Sequence, residues 1–176
     1  MRIVAGKLRH RNIDMTHLST TRETQDKVRG AIFNMIGPYF DGGTALDLFA
    51  GSGAMAIEAY SRGISQIHLN DIEPKAIDIC KKNCHTLGIK EASFSTLDYK
   101  KFLNQTDQVW DIIFLDPPYR MDAIEEILED IYPHLSKQGR VVFELAKESI
   151  YPKEFKDLIL IKDKTYGIKR VIVYKL

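Results

Sequence analysis

The chain has 176 residues, 44% of them hydrophobic and 28% charged, with a net charge of +1. That length and balance suit one globular domain with a sizeable core. No apolar run approaches the ~20 residues of a membrane-crossing helix, and Met1-Arg2-Ile3-Val4 leads straight into charged residues, so no signal peptide is expected and a cytoplasmic location follows.

In chain order, residues 2–13 alternate weakly about Gly6-Lys7, which predicts a short hairpin displaying Arg9, His10 and Arg11. A helix is expected to begin near Thr24, with Thr20 or Thr24 as N-cap. Its packing stripe is Val28, Ala31, Ile32, Met35 and Ile36, flanked by Lys27 and Arg29, and Gly37-Pro38 stops it. Up to Gly30 the basic residues Arg2, Lys7, Arg9, Arg11, Arg22, Lys27 and Arg29 face only Asp14, Glu23 and Asp26, a net +4 against −3 for the remainder. A basic arm on a near-neutral body is the electrostatic footprint of a phosphate-backbone ligand. Arg9, Arg11, Arg22, Lys27 and Arg29 are the candidate nucleic-acid contacts.

The central stretch is Thr44–Ala56, an apolar run too short for a helix that ends in a glycine turn, Gly51-Ser52-Gly53. A helical pattern carrying Met55, Ala56, Ala59 and Tyr60 follows, and Gly63 ends it. Strand, glycine turn and helix form a nucleotide-binding crevice, because glycines admit a close ligand and the helix start offers unpaired N–H groups. Gly51-x-Gly53-x-x-Ala56, with Asp71 some twenty residues on, also fits a dinucleotide fingerprint, so the motif implies an adenosine-type ligand without choosing one.

Residues 66–70 read as the second strand. Pro74 starts a helix that Gly88 ends. Cys80 and Cys84 fall on its apolar stripe as small core residues; adjacent His85 leaves a metal site without a fourth ligand. A short third strand spans 92–95, followed by Asp98 and a stretch containing Phe102 and Leu103. Residues 110–115 are a fully buried strand ending in Asp116-Pro117-Pro118-Tyr119. Two prolines make a stiff loop whose carbonyls are free to accept from a ligand. An acceptor-rich loop beside an aromatic ring suits a planar base carrying an amino group. Asp122 and Glu125 are expected to cap a helix with the face Ile124, Ile127, Leu128 and Ile131, finishing near Pro133. A fifth strand spans 141–145, and strands at 158–161 and 168–173 form a closing hairpin about Tyr166-Gly167.

This alternation predicts an α/β fold, a doubly wound and mostly parallel sheet, in a single domain. Residues 1–40 form an N-terminal hairpin-plus-helix extension and residues 41–176 the cofactor-binding core. In such a sheet the ligand lies beyond the carboxyl ends of the strands. Asp47, Asp71, Asp98 and Asp116 each lie at or just past a strand end. Four acids on one rim would repel a pyrophosphate and suit the sulfonium and ammonium of S-adenosylmethionine. Asp71 is assigned to the ribose hydroxyls, since a carboxylate accepts two hydrogen bonds, and Asp98, with Tyr99 beside it, to the adenine amine. Phe49, Ala50, Gly51, Ser52 and Gly53 would wrap the methionine end, with Asp47 near its ammonium. At the target, Asp116 and the Pro117 carbonyl would accept the two N–H groups of an exocyclic amine on a flipped base, Pro118 would stiffen the loop, and Tyr119 would stack on the base.

The chain resembles the bacterial RsmD-type methyltransferases over nearly its whole length. The resemblance rests on residues 2–7 (Arg-Ile-Val-Ala-Gly-Lys), 21–29, 31–34, 46–53 and Asp116-Pro117-Pro118-Tyr119. Glu23 and Gln25 depart from the family's usual Pro and Thr. The resemblance implies the seven-stranded, Rossmann-like methyltransferase fold, S-adenosylmethionine as cofactor, no metal, and guanine N2 of small-subunit (16S) ribosomal RNA as target, within an assembled or assembling subunit. A DNA adenine or cytosine amino-methyltransferase could use the same loop, but would usually carry a sequence-reading domain for which this chain has little room. A catalytically silent RNA-binding module would not need Asp71 and Asp116.

Overall fold

The computed structural model describes residues 1–16, 26–118 and 123–176. The N-terminal arm closes on itself through one antiparallel bridge, Arg2 to Asn12, with Ile3 and Ile13 buried beneath it. Helix α1, Asp26–Ile36, follows, burying Ile32, Phe33 and Ile36. The caps expected at Thr20 and Thr24 lie outside the described residues, as does Asp122.

The body alternates β1 (Thr44–Asp47), α2 (Ala54–Ser61), β2 (Gln66–Asn70), α3 (Pro74–Leu87), β3 (Ala92–Ser95), α4 (Tyr99–Asn104), β4 (Trp110–Leu115), α5 (Ile124–Ile131) and β5 (Leu135–Ala146). Then come β6 (Glu154–Phe155), β7 (Leu158–Tyr166) and β8 (Lys169–Lys175). The sheet order is β3-β2-β1-β4-β5-β8-β7-β6. Strands β3, β2, β1, β4 and β5 are mutually parallel, and β8, β7 and β6 join them antiparallel. The sheet therefore has eight strands rather than seven. The addition is the two-residue edge strand β6, too short to show a period-2 pattern. Helix α4 was also not foreseen; Asp98 creates it by accepting from the amides of Lys100 (3.1 Å) and Lys101 (3.4 Å) as its N-cap.

Alternate residues of each strand feed two cores. Ala45, Ile67, Leu69, Ile112, Phe114, Val142, Val171 and Val173 pack with α1, α2 and α3. Leu46, Ile113, Leu115, Val141, Phe143, Ile172 and Tyr174 pack with α4 and α5. Chain order reverses between β1 and β4, and that reversal is the topological switch point.

Helix α2 is buried on almost every side, which explains its apolar sequence, and it holds one ionised group at its centre. Glu58 is 0% exposed. Its carboxylate accepts from the amides of Val4 (2.8 Å) and Ala5 (3.0 Å) and from Nε of Arg62 (2.7 Å) and Arg29 (3.3 Å). One buried acid thus ties together the arm, α1 and the helix that follows the glycine turn. Ser61 adds to the joint, donating to the Ala5 carbonyl at 2.6 Å and accepting from the Leu8 amide at 2.9 Å. Gly6 lies so close that a Cβ there would sit 1.9 Å from the Ser61 carbonyl oxygen.

Removing one partner of a buried ion pair leaves the others uncompensated. Glu58→Ala, which strands two buried guanidinium groups, is expected to cost about 3–5 kcal/mol in chemical denaturation. Glu126→Ala, at an exposed ion pair with Lys100, is expected to cost about 1 kcal/mol or less in the same measurement.

Candidate active site

The glycine turn follows directly from β1. The Leu48 amide still bonds the Phe114 carbonyl at 3.1 Å and the Ala50 amide the Asn70 carbonyl at 2.9 Å, so the chain leaves the sheet between β2 and β4. Gly53 has φ +80°, and a Cβ there would approach Leu69 Cδ2 to 2.6 Å. No other residue type fits that turn without displacing the core beneath it. The carbonyls of the turn are held from below. Cys80 Sγ donates to Gly51 O at 3.2 Å, and Asn83 Nδ2 donates to Ser52 O at 3.0 Å. Both cysteines are buried in the core, with burial pushing the Cys84 thiol up to about 12.

The four acids lie along one rim. Strand order places Asp98, Asp71, Asp47 and Asp116 in that sequence across it, with Asp47 and Asp116 on either side of the switch point. Each already has a structural task. Asp71 Oδ2 accepts from the Gly51 amide (2.9 Å) and Oδ1 from the Glu73 amide (2.9 Å), so it fixes the glycine turn and the approach to α3. Asp47 is 4% exposed and accepts from the Ala56 amide at 3.3 Å, in the first turn of α2. Asp98 caps α4. Phe49 leaves the turn half-buried with its ring 5.6 Å from that of Tyr99. Tyr99 is buried, and its hydroxyl is pushed up to about 12 by burial and then by Asp130 on α5. Its side chain packs with the α4–α5 layer, against the Phe49 ring of the glycine turn.

Asp116 follows the last residue of β4, with Pro117 buried and Pro118 exposed. Its side chain is 36% exposed and lies 3.5 Å from Lys169 Nζ. Its carboxyl is raised from the ordinary range to about 8, by desolvation first and by Glu144 second; Lys169 opposes the rise and Asp47 adds slightly to it. Tyr119 lies outside the described residues.

On the arm, Arg9, Arg11 and Lys27 are exposed, and Arg11 reaches the Thr86 carbonyl at the end of α3 (3.4 Å). Arg2, His10 and Lys27 share a cavity of about 270 Å³ with Ile3, Val4 and Asp26. Arg22 lies outside the described residues. Arg29 overturns its expectation. Its residue is 0% exposed, and its guanidinium is committed to Glu58, Asp26 (3.0 Å) and the Arg2 carbonyl. A group so enclosed cannot reach a phosphate. Within the sequence, Glu58 and Arg62 were signalled only as an i,i+4 pair in an otherwise apolar helix, and Glu144 as one charge inside an apolar strand.

A sheet wound to both faces about an acid-lined switch point, with a glycine turn on one side and an Asp-Pro-Pro loop on the other, defines a Rossmann-like methyltransferase fold. The solved structure of yhhF from Escherichia coli, provisionally described as a methyltransferase, superposes with a TM-score of 0.86 at 28% identity, covering 99% of this chain and 97% of that one. The chain belongs to the RsmD-type family, whose description is "Conserved hypothetical protein 95" and which matches residues 1–175. It is 40% identical to YlbH of Bacillus subtilis, provisionally named an rRNA methyltransferase, over 99% of this chain and 98% of the relative. It is 29% identical to ribosomal RNA small subunit methyltransferase D of Haemophilus influenzae, over 99% and 93%. No helix among the described residues is long and apolar enough to cross a membrane.

The raised Asp116 carboxyl carries a stability cost with a definite sign. The folded chain holds this proton to a higher pH than the unfolded chain, whose Asp titrates near ~3.9, so stability is lost as pH rises from there to about 8. Asp116→Asn removes the ionisation. The melting temperature of the Asn variant is expected to gain on that of the wild type between pH 6 and pH 9; a constant difference would contradict the raised carboxyl.

Proposed function

We propose that this protein methylates the exocyclic N2 amine of a guanine in small-subunit ribosomal RNA, using S-adenosylmethionine. Family membership and the names of its relatives support rRNA methylation. The observation that carries the mechanism is the placement of Asp47 and Asp116 at the ends of β1 and β4, on either side of the switch point, beside a glycine turn too tight for any Cβ.

The residues present fit the cofactor. The turn Phe49, Ala50, Gly51, Ser52 and Gly53, with Asp47 behind it, would hold the methionine end. Asp71 would take the ribose hydroxyls and Asp98 the adenine amine, sharing those carboxylates with the backbone amides they already bind. An acid-rich rim stabilises positive charge. Bound there, S-adenosylmethionine supplies a methyl group on a sulfonium whose sulfur keeps the bonding pair on departure.

The protein has to turn a poor nucleophile into a competent one. A guanine amine shares its lone pair with the ring. Asp116 and the Pro117 carbonyl accept its two N–H bonds, draw the nitrogen toward tetrahedral geometry and aim the lone pair. Asp116 then receives the proton that the nitrogen sheds once methylated, and a carboxyl raised toward neutrality suits that task. Pro118 keeps the loop stiff, and Tyr119 is assigned to stacking on the flipped base. Arg9, Arg11 and Lys27, with Arg22 beside them in sequence, would contact RNA phosphates and bring the subunit to the crevice.

Transfer of labelled methyl to small subunits from cells lacking the enzyme, followed by nucleoside analysis, is expected to yield N2-methylguanine. Label on adenine or cytosine, or transfer to a DNA duplex offered in parallel and none to the subunits, would overturn the assignment. Asp116→Ala is expected to abolish transfer while leaving cofactor affinity near the wild-type value by calorimetry. Asp71→Ala is expected to weaken the cofactor, because charge-assisted hydrogen bonds of roughly 1.5–3 kcal/mol each are lost before discounting for solvent.

The arm is tested by salt. Phosphate contacts act by counterion release, so each one lost flattens the log–log salt slope of RNA binding by about 0.7–0.9. Arg9→Ala with Arg11→Ala is expected to show that flattening with unchanged cofactor affinity and melting. A wild-type slope in the folded double variant would place the RNA surface elsewhere.

A further inference from the structure

Beyond Asp116 the charged row continues across the sheet. Leu115 of β4 pairs with Phe143 of β5, so Asp116 falls beside Glu144. Glu144 in turn pairs with Val171 of β8, and Ala146 with Lys169, so Glu144 and Lys169 are diagonal neighbours on one face. It is the face of Phe114, Val142 and Val171, covered by α1 and α2, and Asp47 shares it. Lys169 Nζ lies 2.9 Å from Glu144 Oε2 and 3.5 Å from Asp116 Oδ2. The Glu144 side chain is 3% exposed and that of Lys169 14%. An ammonium therefore sits between two carboxylates, at the end of a strand that enters the sheet antiparallel, from the hairpin that closes the chain.

We propose that Glu144 and Lys169 are positioning residues for the methyl-transfer site, holding the Asp116 carboxylate at the strand end and setting its charge state. This rests on the reading of Asp116 as the group that accepts from the target amine. Lys169 favours the ionised form and draws the carboxylate toward β8. Glu144 anchors the ammonium and moderates its pull, so that Asp116 stays basic enough to take a proton. Among the described residues, the charged groups facing Asp116 are Asp47 on β1, Glu144 on β5 and Lys169 on β8. The two proposed residues oppose each other, and that opposition is the signature to be read.

The experiment is a carbon-13 carboxyl titration of Asp116 in the protein alone, paired with the pH dependence of methyl transfer to small subunits. Lys169→Met is expected to move both midpoints up by about one pH unit or more, since an opposite charge at this range has been lost. Glu144→Gln is expected to move both down, and Lys169→Arg to restore the wild-type titration. Thermal melting establishes that each variant is folded, and Lys169→Arg keeps the test open if Lys169→Met is not. Folded Lys169→Met and Glu144→Gln titrating as wild type, or shifting in the same direction, would overturn the inference. Opposed shifts in a protein that transfers no methyl would instead uphold the charge coupling and overturn the proposed reaction. Normal transfer with unmoved midpoints would spare the reaction and overturn the coupling.

Discussion

The carboxylate of Glu58 is the joint on which the arrangement depends. Four N–H groups from three parts of the chain converge on it inside the protein. Taking an ion out of water is expensive, and this one is sustained only because two guanidinium groups and two amides replace the water it has lost. The arrangement is directional as well as stabilising. Val4 and Ala5 can meet Glu58 only if the arm crosses α2 in one orientation, and α2 is the helix whose start faces the glycine turn. The arm is therefore fixed relative to the crevice by a buried charge.

The rim shows the same economy in a different form. Asp71 and Asp98 carry backbone amides that organise the turn and a helix start, and the functional assignments ask them to serve a ligand as well. Such double use preorganises the site. The carboxylates are aimed before any ligand arrives, and no side chain has to be ordered at the moment of binding. Holding Asp116 at the strand end costs stability, because burial first and Glu144 second raise its carboxyl, with Asp47 adding slightly.

Much of this was legible in the sequence, for reasons that differ by element. Strands β1 and β4 stood out as apolar runs, because strands buried on both faces need no polar alternation. Pro74 and Gly88 marked α3 because each has one favoured place at a helix end. The positions of the four acids at strand ends followed from the strand boundaries alone. The failures share a cause: they depend on what a side chain meets across the fold. Arg29 reads as a surface charge until Glu58 is placed opposite it. Asp98 reads as a rim residue alone until the amides of Lys100 and Lys101 show that it also caps α4. Glu144 carried no sequence signal beyond its charge, and its role follows only once Lys169 is found 2.9 Å away. Strand β6 was invisible because two residues carry no period.

The place of β8 between β5 and β7 has a consequence for synthesis on the ribosome. The parallel strands β1 to β5 can pair as they emerge, each against a neighbour already made. Strands β6 and β7 can pair only with each other, because β7 reaches the rest of the sheet only through β8. Until β8 emerges, β5 keeps an open edge, and Val142 and Phe143 of β5 and Leu158 of β7 lack the burial they have in the finished protein. The nascent chain thus passes through a stage with a nearly complete cofactor crevice and an unfinished edge, the interval in which chaperone contact or mispairing would act on it.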